Sequence, residues 1–137
     1  NCFIINADTL SRVSLRRLYA RYIRAGRAGI VAATRLPDCR GYGRVRIDAS
    51  DRIISFLEKD NSDEPGYINT GVYLLNRPDP GQWSRQTPCS LEYHILPRLA
   101  AAGSLIAYKY RGRFTDIGTP EKYRQVLENA RSGRTLF

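Results

Sequence analysis

Short apolar runs alternate with a segment of helical periodicity at the start of this chain, and this alternation constrains the fold more than any other feature. Residues 2–6 (CFIIN) and 28–35 (AGIVAATR) have the length and composition of buried strands. Between them, apolar residues recur at helical spacing from Leu15 to Ile23, and Gly26 is placed to end that helix. The opening is therefore predicted to be β-α-β, and we expect its two strands to pair in parallel.

The following segments predict a mixed sheet. Residues 42–48 (YGRVRID) and 52–59 (RIISFLEK) flank a short turn and alternate in polarity, which predicts an antiparallel hairpin. Two further strands are predicted at 67–76 (YINTGVYLLN) and 105–110 (LIAYKY). With the helices, these strands indicate an α/β fold with a mixed central sheet.

Two more helices are predicted, beginning after Ser90 and Thr119, which can cap them. Pro97 is expected to shorten or kink the first of the two. Their inner faces are predicted to carry Leu91, Ile95, Leu99 and Ala102 in the first, and Tyr123, Val126, Leu127 and Ala130 in the second. His94, the only histidine, falls on the first helix and is interpreted as a packing or surface residue rather than a catalytic base.

The chain has the size of one domain, and nothing in it marks a domain boundary. It contains no methionine, and its first residues already read as a strand. We therefore expect residues 1–137 to be a single partial domain, an internal piece of a longer protein.

The net charge of +9 comes mostly from arginine and suits nucleic acid, an acidic membrane surface or phosphorylated small molecules. On the first predicted helix, Arg16, Arg17, Arg21 and Arg24 lie opposite the apolar face. This set is most simply a solvated helix face, and it is also the strongest sign of a nucleic-acid footprint. Nucleic acid is the least favoured partner, because the tyrosines near arginine follow the spacing of core-facing positions: Tyr19, Tyr22, Tyr108 and Tyr110.

The three cysteines, Cys2, Cys39 and Cys89, are odd in number and lack CxxC spacing, so neither a zinc site nor a disulfide framework is indicated. A reducing cytoplasm fits them best. The sequence shows no signal peptide and no apolar run long enough to cross a membrane, so no membrane partner is expected.

Asp8 and Asp116 occupy similar places, because each follows a predicted strand and precedes a predicted helix. In open α/β sheets, side chains that follow strand ends converge at one edge, where ligands bind. Mg²⁺ is commonly held by one or two carboxylates, with water and substrate phosphates completing its shell. The pair therefore suits a phosphate-transfer site, although two unrelated turn aspartates would give the same local pattern.

Three further motifs carry polar groups or glycines near strand ends. Glu58-Lys59 can meet sugar hydroxyls and a phosphate, or form a solvated strand end. Asn69-Thr70-Gly71 interrupts a strong strand, either to let another group approach the backbone closely or to form a β-bulge. Tyr42-Gly43 opens the hairpin, and its glycine either allows a close approach to the backbone or forms a simple turn.

The order of motifs resembles that of the sugar-phosphate nucleotidylyltransferases, also called NDP-sugar pyrophosphorylases. The motifs are IINADTL, YGRV, FLEKD, YINTGVYLL, SLEYHILPRL and FTDIGTPEKY, and together they cover nearly the whole chain. The bacterial mannose-1-phosphate and heptose-1-phosphate guanylyltransferases are the most similar group. The resemblance implies a Rossmann-like nucleotide-diphospho-sugar transferase fold with a mixed central sheet, truncated at its N-terminal side.

The resemblance also implies a reaction between a nucleoside triphosphate and a sugar 1-phosphate, releasing pyrophosphate. Asp8 and Asp116 would be catalytic and would hold Mg²⁺ as cofactor, and Lys59 would meet the sugar's phosphate. Glu58 and Asn69 would bind sugar hydroxyls. The remaining substrate-binding residues implied are Tyr42, Gly43, Thr70 and Gly71. A homo-oligomer is compatible with the resemblance.

Two departures from the family pattern bear on activity. Ala7 stands where the family usually has glycine, and the family's glycine-rich loop that grips the triphosphate is not in this sequence. We therefore expect the parent protein to be an enzyme and this piece to have little or no turnover alone. The alternative is a catalytically inactive regulatory relative that binds a nucleotide-sugar or a partner subunit.

Overall fold

The computed structural model describes residues 1–57, 63–76 and 89–134. The strands are β1 (Cys2–Ile5), β2 (Thr9–Ser11), β3 (Gly29–Leu36), β4 (Arg44–Ile47), β5 (Ile53–Leu57), β6 (Gly66–Leu75), β7 (Leu105–Lys109) and β8 (Phe114–Asp116). The helices are α1 (Leu15–Ala25), α2 (Leu96–Ala101) and α3 (Pro120–Arg131), with a π-helical turn at Leu91–Ile95 before α2. None of the described helices combines the length and apolarity that a membrane span needs.

The long strand β6 organises the main sheet. Along one edge it pairs antiparallel with β3, which in turn pairs parallel with β7. Its other edge is divided between two strands, since β4 pairs with Tyr67 and Ile68 whereas β1 pairs with Val72 to Leu75. The change of partner falls at Gly71, whose φ of 67° is left-handed. A gap therefore opens in this edge of the sheet between the end of β1 and the start of β4.

The expected parallel pairing of the first two long strands is wrong. Both β1 and β3 are antiparallel to β6, so they run in the same direction, but β6 lies between them. Most of β6 is buried, as suits a central strand covered on both faces. The connection through α1 therefore skips one strand, and β7 is the parallel neighbour of β3.

The expectation that β1 is buried is also wrong. Phe3 is 40% exposed and Ile5 is 50% exposed. Within the described residues β1 has a strand partner on one side only, so it is an edge strand of the sheet. By contrast β3, flanked by β6 and β7, is buried from Gly29 to Thr34, as its apolar run predicts.

The predicted hairpin is confirmed, since β4 and β5 pair antiparallel. It extends from the first half of β6, and its turn reaches the far edge of the sheet. There the N–H of Ala107 in β7 donates to the Asp51 carbonyl (2.8 Å), and Asp51 also forms ion pairs with Arg21 and Lys109. One core cluster therefore joins one face of the sheet, the hairpin and α2, and a second joins the opposite face to α1.

The predicted caps are present, because the hydroxyls of Ser90 and Thr119 each accept a backbone N–H in the first helical turn. Ser14, for which no cap was predicted, does the same for α1. His94 adds to the cap, since its Nδ1 accepts from the Ser90 N–H (2.9 Å). The helix after Ser90 is divided into the π-helical turn and the short α2. The π-helical geometry shifts the helical phase, so Ala100 is buried, whereas Ala102, predicted on the inner face, is exposed.

The apolar faces predicted for α1 and α3 are only partly used. In α1, Leu18 and Tyr22 are buried against the sheet, whereas Leu15, Tyr19 and Ile23 are exposed, so the core-facing interpretation of Tyr19 is wrong. Nothing in α3 is fully buried, and Tyr123 is half exposed. Helical periodicity therefore overestimated the buried faces of both helices.

Candidate active site

The small ribbon of β2 and β8 brings the two predicted metal-ligating carboxylates together. Thr9 and Asp116 are direct partners in this antiparallel pair. Next to it, the N–H of Ile117 donates to the Asp8 carbonyl at 2.8 Å. The loops that carry Asp8 and Asp116 are thus joined by backbone hydrogen bonds, although the two residues are far apart in the sequence.

Gly118 shows how closely the two carboxylates converge. A Cβ atom on Gly118 would lie 3.0 Å from Oδ2 of Asp8 and 3.1 Å from Oδ1 of Asp116. The two oxygens therefore flank one point and are no farther apart than these two distances together. The N–H of Gly118 donates to Oδ1 of Asp116 at 2.8 Å, which orients that carboxylate. Glycine at this position keeps the space between the carboxylates free of a side chain.

Lys122 is a third charged group at this place, and sequence reasoning assigned it no role. It lies in the first turn of α3, and its Nζ is 2.5 Å from Oδ2 of Asp116. This hydrogen bond raises the pKa of Lys122 above the ordinary value of a lysine, against a smaller opposing effect of desolvation. The Lys122 ammonium is also 5.7 Å from the ring centroid of Tyr42. Asp8 and Asp116, here called the acidic pair, are therefore partly neutralised by a lysine of this chain.

A polar cleft of about 170 Å³ lies at the gap in the edge of β6. It is lined by Asn6, Asp8, Thr9, Gly41, Tyr42, Gly43, Asn69, Thr70, Gly71, Glu92, Phe114 and Asp116. All the predicted site residues that the structure describes are in this set. Glu58 and Lys59, the other two, lie outside the described residues, so their predicted roles stay predictions.

Two larger grooves, of about 680 and 590 Å³, adjoin each other around Arg35 and Gly112. Their lining, within the described part of the chain, is basic, apolar or uncharged, and none of the predicted site residues borders them. The small cleft is a better candidate site than these two grooves, because carboxylates, an amide and glycines from several elements converge in it.

Asn69 is held in one orientation by three partners. Its Nδ2 donates to the Tyr73 hydroxyl (2.6 Å) and to Oε1 of Glu92 (3.1 Å), while its Oδ1 accepts from the Gly71 N–H (3.0 Å). The Tyr73 hydroxyl donates to the same Glu92 oxygen at 2.7 Å. Because an amide nitrogen has two hydrogens, Asn69 has no donor left, and its Oδ1 can accept one more hydrogen bond.

Glu92 was missed as a site residue. The motif that contains it predicts a helix start, where a carboxylate in the first turn has an ordinary role beside the helix dipole. Its actual partners are on β6, 19 and 23 residues earlier in the chain. No local signal in one sequence indicates a contact of that kind.

Thr70, Gly43 and Gly71 have contacts within the chain at the cleft. Thr70 is fully buried, and its hydroxyl donates to the Ala32 carbonyl (3.0 Å). The Gly43 carbonyl accepts from the Asn69 N–H at 2.8 Å. The bulge predicted at Asn69-Thr70-Gly71 is confirmed, since β6 bulges here against β3. The close approach to the backbone is made by Asn6, because a Cβ on Gly71 would lie 2.8 Å from its atoms.

The sequence profile of the family described as nucleotidyl transferase matches residues 1–133. The chain belongs to the nucleotidyl transferase family. It is 32% identical over 123 residues to the mannose-1-phosphate guanylyltransferase of Mycobacterium tuberculosis, covering 88% of this chain and 34% of that protein. It is 33% identical over 126 residues to the D-glycero-alpha-D-manno-heptose 1-phosphate guanylyltransferase of Aneurinibacillus thermoaerophilus. That match covers 92% of this chain and 54% of that protein.

The same family likeness extends to solved structures. HddC from Yersinia pseudotuberculosis superposes with a TM-score of 0.76 at 25% identity, over 93% of this chain and 54% of that one. HddC complexed with GMP-PN superposes with a TM-score of 0.75 over the same shares. This nucleotidyl transferase chain thus has the fold that its motifs indicate, and it spans a third to about half the length of the relatives it matches.

Proposed function

We propose that the protein to which this chain belongs transfers a nucleoside monophosphate from a nucleoside triphosphate to a sugar 1-phosphate and releases pyrophosphate. The observation that carries the proposal is the convergence of Asp8 and Asp116 on one point beside the polar cleft. Guanosine triphosphate and a manno-configured sugar 1-phosphate are the first substrates to test, because the relatives cited above are named for such sugars.

The donor set at the acidic pair fits Mg²⁺. Two carboxylates contribute hard oxygen ligands, and the missing side chain of Gly118 leaves room between them. Asp8 and Asp116 would hold the ion. When bound, Mg²⁺ supplies positive charge that offsets the charge on the transferring phosphate groups.

The chemistry asks little acid–base work of the protein. An ionised phosphate oxygen of the sugar 1-phosphate attacks the α-phosphorus of the triphosphate. A new P–O bond forms at the α-phosphorus. The bond from the α-phosphorus to the oxygen that bridges it to the β-phosphate breaks, and its electron pair leaves with pyrophosphate. The residues of this chain therefore serve to position two anions and to balance their charge.

In this proposal the cleft binds the sugar. Asn69 can accept a hydrogen bond from a sugar hydroxyl through Oδ1, since its nitrogen is fully used by Tyr73 and Glu92. Glu58 is expected to accept from other hydroxyls and Lys59 to meet the phosphate. We place the reaction in the cytoplasm, where nucleotides are made and thiols stay reduced.

The test is pyrophosphate release by the parent protein with mannose 1-phosphate or heptose 1-phosphate and each of the common triphosphates. We expect turnover, lost by a factor of about 100 or more in Asp8→Asn and Asp116→Asn. Glu121→Gln, a carboxylate change on the exposed face of α3, is the control and keeps its activity. No turnover in the unaltered parent, with nucleotide-sugar still bound, would favour the regulatory relative instead.

A further inference from the structure

Both oxygens of Asp116 have positively polarised partners in the structure. Oδ1 accepts the Gly118 N–H at 2.8 Å, and Oδ2 is 2.5 Å from the Lys122 ammonium. The first partner is backbone and belongs to the loop that shapes the acidic pair. The second is the end of a long flexible side chain, which can leave without disturbing the loop.

The ammonium also has a second favourable place within reach. It lies 5.7 Å from the ring centroid of Tyr42, and that ring is held edge-on against Phe114, with 5.4 Å between centroids. Tyr42, Phe114 and Asp116 border the cleft on one side and a second cavity of about 270 Å³ on the other, and Lys122 lines that second cavity. An ammonium released from Asp116 can therefore stay over the aromatic ring, at the boundary of the two cavities.

A divalent cation held by Asp8 and Asp116 would compete with this ammonium. Both need the Asp116 carboxylate, and the two positive charges repel each other across a few ångströms. Metal binding must then displace the lysine or bear the repulsion, and either effect weakens the metal site relative to the same carboxylates without Lys122.

We propose that Lys122 is a tethered cation that occupies Asp116 until a divalent metal displaces it. This inference rests on the proposed function, because it takes Asp8 and Asp116 as metal ligands. It deepens that function by making Lys122 a positioning residue that keeps affinity for the bare metal low, so that the ion arrives together with substrate phosphates. The released ammonium then lies beside the cleft, where a phosphate can pair with it.

The first experiment measures Mn²⁺ affinity of the full chain by electron paramagnetic resonance, with Mn²⁺ as the probe for the Mg²⁺ site. We expect Lys122→Gln to tighten Mn²⁺ binding about two- to fivefold, the range for an exposed ion pair. Lys122→Arg, which keeps the charge, should bind as the unaltered chain does. Arg124→Gln removes the same charge from α3 but from a side chain that pairs with Glu121, so it should change affinity less than Lys122→Gln does.

The second experiment uses the unaltered chain, so it does not depend on how any variant folds. The sequence has three lysines, Lys59, Lys109 and Lys122. With ¹³C-labelled lysine, the Cε signal of Lys122 should shift as Mg²⁺ saturates the site, whereas that of Lys109, which pairs with Asp51, should not.

The outcomes separate the inference from the function. Equal Mn²⁺ affinity of Lys122→Gln and Arg124→Gln, or an unmoved Lys122 signal at Mg²⁺ saturation, overturns the role of Lys122 and leaves the proposed function standing. Mn²⁺ binding that is absent, or unaffected by Asp8→Asn and Asp116→Asn, overturns both, because the acidic pair would then hold no metal.

Discussion

Thr9 and Asp116 face each other across the β2–β8 ribbon, so the loops that carry Asp8 and Gly118 leave the ribbon side by side. This pairing makes the acidic pair a property of two short strands that are not part of the main sheet. Changes at the acidic pair are therefore expected to alter metal binding without unfolding the core.

Gly118→Ala is the direct check of this arrangement. The added methyl would lie about 3 Å from an oxygen of each carboxylate, where the metal is proposed to bind. We expect Mn²⁺ affinity to fall by about tenfold or more, a loss of about 1.4 kcal/mol, with little change in thermal stability. Gly26→Ala should lower thermal stability and leave Mn²⁺ affinity unchanged. Gly26 ends α1 with a left-handed φ of 58°, and an added Cβ would have nothing within 4 Å. A change in stability without a change in Mn²⁺ affinity for Gly118→Ala would contradict the proposed metal position.

Glu92→Ala tests whether the missed carboxylate positions Asn69. Removing it takes a hydrogen-bond partner from both the Asn69 amide and the Tyr73 hydroxyl. In the parent protein we expect the KM for the sugar 1-phosphate to rise about tenfold with a smaller change in kcat, since misplaced binding groups lose substrate affinity. Glu92→Gln, which keeps an acceptor oxygen, should recover most of the loss. The exposed Glu128→Ala is the control, and an equal effect of the two alanine variants would refute the positioning role.

Gly71→Ala tests the point at which β6 changes partners. Alanine at this position meets two costs, a left-handed backbone and a contact at 2.8 Å with Asn6. We expect the free energy of unfolding, measured with urea, to fall by about 2–4 kcal/mol. Gly41→Ala is the matched control, because Gly41 also has a left-handed φ, of 76°, but an added Cβ would have nothing within 4 Å. Its free energy of unfolding should fall by the cost of backbone strain alone, which is the smaller loss. Equal losses in the two variants would show that the contact with Asn6 does not matter.

The pH dependence of stability should reflect Asp51 in the hairpin turn. The hydrogen bond from Lys109, and to a smaller extent that from Arg21, lowers the pKa of Asp51 below its ordinary 3.8, against the opposing effect of desolvation. Since the folded-state pKa is the lower one, the unfolded chain takes up this proton first. The stabilisation is thus complete above pH 3.8 and is lost as the pH falls through the folded value.

Asp51→Asn isolates this contribution, because asparagine also tolerates the left-handed φ of 66° found at this position. We expect a loss of about 1 kcal/mol at pH 7 and a shallower fall in stability below pH 3.8 than in the unaltered chain. Asp48, whose pKa is also lowered, titrates in both proteins and cancels in the comparison. If the melting temperature of the variant falls below pH 3.8 as steeply as that of the unaltered chain, Asp51 is excluded as a contributor.

Much of the fold follows from local patterns in the sequence. The hairpin, the caps at Ser90 and Thr119 and the buried β3 each depend on residues within a few positions, where alternation, capping and apolar composition act directly. The convergence of Asp8 and Asp116 was also predicted, because side chains after strand ends tend to share an edge of a sheet. The ribbon of β2 and β8 that brings them together, outside the main sheet, was not predicted.

What the sequence did not reveal depends on contacts between distant elements. Nothing local tells that β6 inserts between β1 and β3, because a helical connection can reach the adjacent strand or the next one. Glu92 and Lys122 each look like an ordinary first-turn residue of a helix, and only the packing of those helices brings them to Asn69 and Asp116. The amphipathic faces of α1 and α3 were overestimated because spacing predicts a face and not what covers it.

The divided edge of β6 separates two tasks of the cleft. The acidic pair belongs to the ribbon that follows β1, whereas Tyr42 and Gly43 belong to the loop before β4. Tyr42 reaches the ribbon through its ring contact with Phe114. In the proposed enzyme, the rest of the loop at 37–43 can diverge, with Tyr42 kept, and change the preferred sugar while the phosphate chemistry stays the same. Exchanging those residues between relatives is a route to altered substrate choice that leaves the reacting centre intact.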